Sequence, residues 1–142
     1  MTGRIIETDA CVAEGAAWLA ARDPRLAKVL DLTGPLPLRR RADGFAALLD
    51  AIIGQQVSTA SANALWAKLD AAGLVTEDAV AAAGEAALRQ CGLSRQKIRY
   101  AQALALARLD YAALRTTPTD DVIALLVALP GIGRWTAEIY AM

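Results

Sequence analysis

The chain has 142 residues, enough for one domain with a hydrophobic core or for two small helical lobes that share one. Hydrophobic residues make up 56% of it, yet no stretch reaches the roughly 20 uninterrupted apolar residues of a membrane-spanning helix. Basic and acidic residues balance at 15 each and histidine is absent, which excludes histidine-based acid–base catalysis and disfavours the usual zinc sites.

We therefore expect a soluble protein that makes no contact with membranes. The N-terminus, Met1 to Glu7, reaches acidic residues too early for a secretory signal, so the predicted compartment is the cytoplasm. The two cysteines, Cys11 and Cys91, lie far apart in the sequence and have no metal-binding partner nearby.

Apolar residues recur with helical spacing nearly throughout, and the short turns carry Gly, Pro, Ser, Thr or Asp, so the predicted fold class is all-α. A first helix is predicted over residues 9–21. A second begins at Asp23-Pro24, where aspartate caps and proline suits the first helical position, and it ends near Thr33-Gly34.

Residues 34–41 hold two prolines and three arginines and cannot continue a helix. We interpret them as a linker, with a lobe boundary near Ala42. The predicted organisation is two N-terminal helices plus linker over residues 1–42, followed by a second helical lobe over residues 43–142.

The second lobe begins with the clearest amphipathic stripe in the chain, which predicts a core helix ending at Gly54. Further helices are predicted from Ser58 to Ala72, over residues 76–83 and 85–90, and from Ser94 through Leu109. Another amphipathic helix follows Thr119 and is halted by Pro130, and a last helix begins near Gly133. The stripe of the core helix consists of Phe45, Leu48, Leu49, Ile52 and Ile53.

Positive charge is concentrated in one segment, because residues 86–109 contain five basic residues and no acidic one. Arg95 and Arg99 share one face of the predicted helix, and Lys97 lies between them. This distribution fits phosphate contacts, and it equally fits a solvated helix face.

The segment from Leu129 to Ala137 places one proline and two glycines between two apolar helices, the pattern of a helix-hairpin-helix. Gly131 and Gly133 permit a positive φ and a close phosphate approach, while Ile132 would anchor the tip of the hairpin. The alternative is an ordinary Pro-Gly turn between helices.

Three segments together resemble the 3-methyladenine DNA glycosylases of the helix-hairpin-helix superfamily, in their order and spacing. They are Ile52 to Ser58, Cys91 to Lys97 and the hairpin. The resemblance implies the two-lobed helical glycosylase fold, with the hairpin in the second lobe. It also implies a monomer that binds double-stranded DNA with alkylated bases, associated with the nucleoid if the protein is bacterial.

The resemblance assigns roles to particular residues. Gln56 would be the wedge that enters the duplex where the target base has left, with Gln55 as a neighbouring base reader. Gly131, Gly133, Arg134 and Thr136 would bind DNA phosphate, with secondary contacts from Arg95, Lys97 and Arg99. The alternative for the two glutamines is a simple role in solvating the loop between helices.

Trp135 occupies the position at which bifunctional glycosylase-lyases carry their Schiff-base lysine, so no lyase chemistry is expected. As a wall of the base pocket, its indole face would attract a base made cationic by alkylation. The alternative for a lone tryptophan on an apolar helix is a place in the core.

The resemblance implies base flipping followed by hydrolysis of the N-glycosidic bond. The family's catalytic aspartate lies roughly twenty positions past the hairpin, which here falls after Met142, so no catalytic residue is predicted in this chain and we expect it alone to be inactive. No organic cofactor is expected. A structural monovalent cation would be held by the backbone carbonyls of Val127, Leu129 and Ile132.

Two hypotheses of other classes remain. A non-catalytic DNA-binding module would use the hairpin and the basic helix for phosphates alone and would be indifferent to base damage. A purely structural helical domain would show no salt-sensitive affinity for DNA.

Overall fold

The computed structural model describes residues 4–142 and confirms the all-α prediction, since this part of the chain contains helices and no strand. None of these helices is long and apolar enough to cross a membrane. In order they are α1 Asp9–Ala20, α2 Pro24–Thr33, α3 Phe45–Ile53, α4 Thr59–Ala71, α5 Glu77–Ala82, α6 Glu85–Gln90, α7 Arg95–Leu106, α8 Tyr111–Leu114, α9 Thr119–Val127 and α10 Arg134–Ala141.

The described residues form two compact units that divide between Arg41 and Ala42. In the smaller unit, Thr8 and Asp23 cap α1 and α2 through side-chain oxygens. Among residues 4–41 no side chain is fully buried. The assignment of residues 1–42 to the first lobe of a glycosylase stays a prediction.

The larger unit contains the hydrophobic core, and α3 lies at its centre. All five residues of the predicted stripe are buried, with Ile52 and Ile53 fully enclosed. Helix α3 contacts α4, α7 and α10. Burial of each side chain of this stripe stabilises the fold by about 1.5–3 kcal/mol relative to an exposed position. The sequence prediction of α3 as the core helix is confirmed.

Helix α7 ends earlier than predicted, at Leu106 rather than Leu109. The reason is local, because Arg108 adopts a left-handed backbone conformation with φ of 49° that a helix cannot include. A short helix that was not predicted, α8, follows at once, and the side chain of Asp110 caps it by accepting a hydrogen bond from the Ala113 N–H.

The last helix is fastened to the first helix of the larger unit by a hydrogen bond to a tyrosine hydroxyl. The Gly44 N–H, at the N-terminus of α3, donates to the Tyr140 hydroxyl on α10 over 2.9 Å. Nearby, Arg115 pairs with Asp43 at 2.7 Å, which holds the pKa of that carboxyl below its ordinary value. Helix α10 therefore lies in a defined place relative to α3.

Tyr140 and Tyr111 provide a matched pair for testing this contact. Burial raises the pKa of both hydroxyls, but the buried Tyr111 hydroxyl has no hydrogen-bond partner among the described residues. Tyr140→Phe is expected to lower the free energy of unfolding by about 1 kcal/mol, because the Gly44 N–H loses its acceptor. Tyr111→Phe removes an unpaired buried hydroxyl and is expected to be neutral or stabilising.

Urea unfolding of the two variants beside the unaltered chain measures both effects. An equal loss of stability in both would mean that the Gly44–Tyr140 hydrogen bond contributes nothing specific.

Candidate nucleic-acid interface

The predicted hairpin connects α9 to α10 within the larger unit. After α9 ends at Val127, the chain turns through Pro130 and Gly131, and Ile132 inserts its side chain into the core with 4% of its surface exposed. The Ile132 N–H donates to the Leu129 carbonyl over 3.2 Å and closes the turn. The expected anchoring of the hairpin by Ile132 is confirmed.

Only one of the two hairpin glycines uses a left-handed conformation. Gly131 has φ of 86°, whereas Gly133 has φ of −83°, so the positive φ that either glycine permits is used at Gly131 alone. Gly131 also lies against α7, because a Cβ atom there would come within 2.3 Å of the Tyr100 ring. Tyr100, which the sequence analysis did not identify, thus packs against the hairpin from α7.

The N-terminus of α10 presents unused backbone donors. The first bond back into the helix start is donated by the Ala137 N–H to the Gly133 carbonyl, and no side chain caps this end. The amides of Arg134, Trp135 and Thr136 precede that bond, at the positive end of the helix dipole. This arrangement is the kind that binds a phosphate oxygen.

The loop that carries the two glutamines lies beside the hairpin. Gln56 has φ of 57°, a left-handed conformation that costs a non-glycine residue about 1–2 kcal/mol, and its side chain is exposed. Gln55 is partly buried and donates its side-chain amide to the Gly131 carbonyl over 2.6 Å. The amide nitrogen of Gln55 is therefore engaged inside the protein, and its role as a base reader stays a prediction.

The three basic residues of α7 do not lie together. Arg95 and Arg99 are exposed, but Lys97 is partly buried and donates its ammonium to the Ile53 carbonyl over 2.5 Å. Burial lowers the pKa of Lys97. The Lys97 side chain turns toward the C-terminal end of α3, and its secondary contact with phosphate stays a prediction.

A surface cavity of about 720 Å³ joins these features. Its walls come from the glutamine loop, the start of α7 and the hairpin with the first turn of α10. The lining residues are Gln55, Gln56, Val57, Leu65, Gly92, Ser94, Gln96, Lys97, Tyr100, Gly131, Ile132, Gly133 and Thr136. The predicted wedge and the predicted phosphate-binding turn therefore share one surface.

Trp135 and Arg134 lie at the outer side of this hairpin. The Trp135 side chain is 75% exposed, so the core alternative is wrong, and the residue is not part of the cavity wall. Arg134 is exposed and donates to the Glu138 carboxylate over 2.7 Å on the same helix. A surface ion pair of this type is weak, which leaves the guanidinium available to an anion.

The predicted cation site involves backbone atoms alone. No group of three or more histidine, cysteine, aspartate or glutamate side chains within residues 4–142 is arranged to hold a metal ion. The carbonyls of Val127, Leu129 and Ile132 lie at the end of α9 and in the turn, where helix carbonyls lack intrahelical donors. The Leu129 carbonyl already accepts the Ile132 N–H. Binding of a monovalent cation by these carbonyl oxygens stays a prediction.

The two hairpin glycines allow a controlled test of this geometry. Gly131→Ala is expected to lower the free energy of unfolding by about 2–4 kcal/mol, because it adds strain at a positive φ to a clash with the Tyr100 ring. Gly133→Ala meets nothing within 4 Å and is expected to leave stability nearly unchanged.

Urea unfolding and the circular dichroism of both variants report the outcome. If Gly131→Ala were as stable as Gly133→Ala, the result would contradict the close packing of Gly131 against Tyr100 on α7.

Comparisons with known proteins identify the family to which this fold belongs. Residues 49–128, more than half of the chain, match the model of the HhH-GPD superfamily base excision DNA repair protein. The match ends just before Leu129, so the hairpin itself is known here from the structure. No curated protein sequence matches the chain significantly.

Solved structures of similar fold include three glycosylases. The DNA-3-methyladenine glycosidase of Bacillus halodurans has a TM-score of 0.79 and 28% identity, over 96% of this chain and 63% of that one. The 3-methyladenine DNA-glycosylase of Archaeoglobus fulgidus has a TM-score of 0.73 and 27% identity, over 91% of this chain and 49% of that one. The chain thus spans less than two thirds of either protein.

The third is the 3-methyladenine DNA glycosylase of Schizosaccharomyces pombe in complex with abasic DNA. It has a TM-score of 0.70 and 23% identity, over 89% of this chain and 67% of that one, and shows likeness of fold alone. From the family match and the helical fold, the chain belongs to the HhH-GPD superfamily of base excision DNA repair proteins.

Proposed function

We propose that this chain is the DNA-binding part of a monofunctional glycosylase that hydrolyses the N-glycosidic bond of alkylated bases of the 3-methyladenine type. The observation that carries the proposal is the shared surface of the hairpin and the glutamine loop, joined by the 2.6 Å bond between Gln55 and the Gly131 carbonyl. One element suits the phosphate backbone and the other suits the gap left by a flipped base. The proteins of similar fold named above act on 3-methyladenine.

The two elements have complementary chemistry for a duplex. The free amides at the start of α10 would bind a phosphate, with Arg134 and the side chain of Thr136 beside them. Gln56 is exposed on a loop whose left-handed backbone turns the side chain outward. An amide side chain in the vacated stack can hydrogen-bond to the exposed bases while it fills their space.

The hairpin also supports a preference for damaged bases and for hydrolysis without lyase chemistry. Alkylation at a ring nitrogen gives the base a positive charge, and the exposed indole of Trp135 offers a face that attracts cations. An indole cannot form the Schiff base that lyase chemistry needs. The cationic base is already a good leaving group, so the remaining task is to stabilise the sugar cation and position water.

A carboxylate suits that task, and we infer that none in this chain performs it. The family resemblance assigns the role to an aspartate and not to Glu138, the acidic residue closest in sequence to the hairpin, which pairs with Arg134 on the same helix. A monovalent cation on the hairpin carbonyls would add positive potential beside the phosphate site.

Binding to DNA is expected to depend on salt and on the exposed arginines of α7. Arg95→Gln should weaken binding to a short duplex and reduce the slope of log K against log[salt] by about one, because one phosphate contact is lost. Arg89→Gln is the matched control, since Arg89 lies on α6 and pairs with Glu85. Fluorescence anisotropy at several salt concentrations measures both slopes.

The same assay separates the competing functions. A glycosylase part is expected to bind a duplex with an abasic site about tenfold more tightly than the intact duplex, because no base has to be unstacked. Equal affinity for the two duplexes would favour the non-catalytic binding module. Affinity that does not respond to salt would favour the structural domain.

Release of methylated bases from alkylated duplex DNA is the direct test of the reaction. The 142-residue chain is expected to bind such DNA without releasing a base. Release by this chain would contradict the inferred lack of a catalytic carboxylate and would place that group among its own residues.

A further inference from the structure

Three parts of the interface are connected pairwise and form a closed triangle: the end of α3 with the glutamine loop that follows it (residues 54–57), helix α7 and the hairpin. The Gln55 amide joins the loop to the Gly131 carbonyl, 76 positions along the chain. The Lys97 ammonium joins α7 to the Ile53 carbonyl, 44 positions away. Tyr100, three residues after Lys97, closes the third side by packing against Gly131.

The contacts that form the triangle have chemical reasons in the groups that make them. The Ile53 carbonyl belongs to the last turn of α3, where carbonyls lack intrahelical donors and the helix dipole favours a cation. The missing Cβ of Gly131 allows the Tyr100 ring to approach. The Tyr100 hydroxyl is in turn held by the Gln96 side-chain amide at 2.6 Å.

The strained residue of the loop lies directly beside two of these anchors. Gln56, with φ of 57°, follows Gln55, and its backbone conformation persists only if the surroundings enforce it. Both anchors precede Gln56 in the chain: Ile53 is held by Lys97, and Gln55 is held by Gly131. The Gln55 N–H also donates to the Ile52 carbonyl over 3.3 Å. The loop is thus fixed before DNA arrives.

We propose that Gln55 and Lys97 are positioning residues that hold Gln56 rigidly against the hairpin, so that phosphate binding and wedge insertion occur as one event. The expected effect on DNA binding rests on the proposed function. The brace itself is a property of the protein alone. Gln55 acts through Gln56 and through the hairpin turn.

The first experiment tests the brace without DNA. Gln55→Met keeps the length of the side chain and removes its donor. Amide hydrogen exchange followed by NMR is expected to become about fivefold faster or more at two sites: the Ile132 N–H, bonded to Leu129, and the Gln55 backbone N–H, bonded to Ile52. Unchanged exchange at Ile132 would overturn the proposal.

Gln102→Met is the matched control. Gln102 lies on α7 and donates its side-chain amide to the Ala83 carbonyl over 3.1 Å, a bond of the same type outside the triangle. It is expected to leave exchange at Ile132 and Gln55 unchanged. Equal acceleration by both variants would mean general loosening of the fold and would overturn the specific brace.

The second experiment tests positioning, by comparing affinities for abasic and intact duplexes. In Gln55→Met the preference for the abasic duplex is expected to fall from about tenfold to about twofold, with affinity for the intact duplex retained. Gln56→Ala should have the same effect, and the double variant should be no worse than Gln56→Ala alone, because Gln55 acts through Gln56.

The outcomes of the two experiments are distinguishable. Additive losses in the double variant, or a full abasic preference in Gln55→Met, would overturn the positioning role. If the unaltered chain shows no abasic preference, the proposed function fails, and the exchange data at Ile132 and Gln55 decide the brace by themselves.

Discussion

The close approach of the hairpin to helix α7 is the contact on which the rest of the interface depends. It exists because residue 131 has no side chain, so that the Tyr100 ring occupies the space where a Cβ would lie. That approach brings the Gly131 carbonyl within reach of Gln55. The absence of a Cβ atom at Gly131 therefore helps to set the position of the turn, of the start of α10 and of the neighbouring loop.

The proposed binding of anions at this interface relies on geometry rather than on net charge. The chain is neutral overall, with 15 basic and 15 acidic residues. The unbonded amides at the start of α10 carry a local positive potential that does not depend on this balance. Exposed arginines such as Arg95 and Arg99 add to this potential, while the Lys97 ammonium donates a hydrogen bond to the Ile53 carbonyl. A composition without basic excess is thus compatible with a DNA-repair family.

The arrangement also explains why a strained residue is found at the tip of the loop. A left-handed glutamine would relax in an isolated loop, because nothing would oppose its return to an ordinary conformation. Here Ile52 and Ile53 are enclosed in the core at the end of α3, and the contacts of Ile53 and Gln55 anchor the chain just before Gln56. Rigid presentation of a side chain reduces the ordering that binding would otherwise require.

The sequence by itself determined those features that depend on local pattern. The α3 stripe followed from apolar spacing, the starts of α4 and α7 from the capping residues Ser58 and Ser94, and the hairpin from its proline and glycines. These signals are readable because they involve residues within one or two helical turns of each other. The family resemblance rested on the same local segments.

The tertiary structure decided what depends on residues distant along the chain. The inward turn of Lys97 requires Ile53, and the engagement of Gln55 requires Gly131, so neither contact has a local signature. The early end of α7 and the extra helix α8 depend on a left-handed Arg108, which no preference of arginine predicts. Side-chain direction is set by packing between segments, and that packing is invisible in a periodicity measured along one segment.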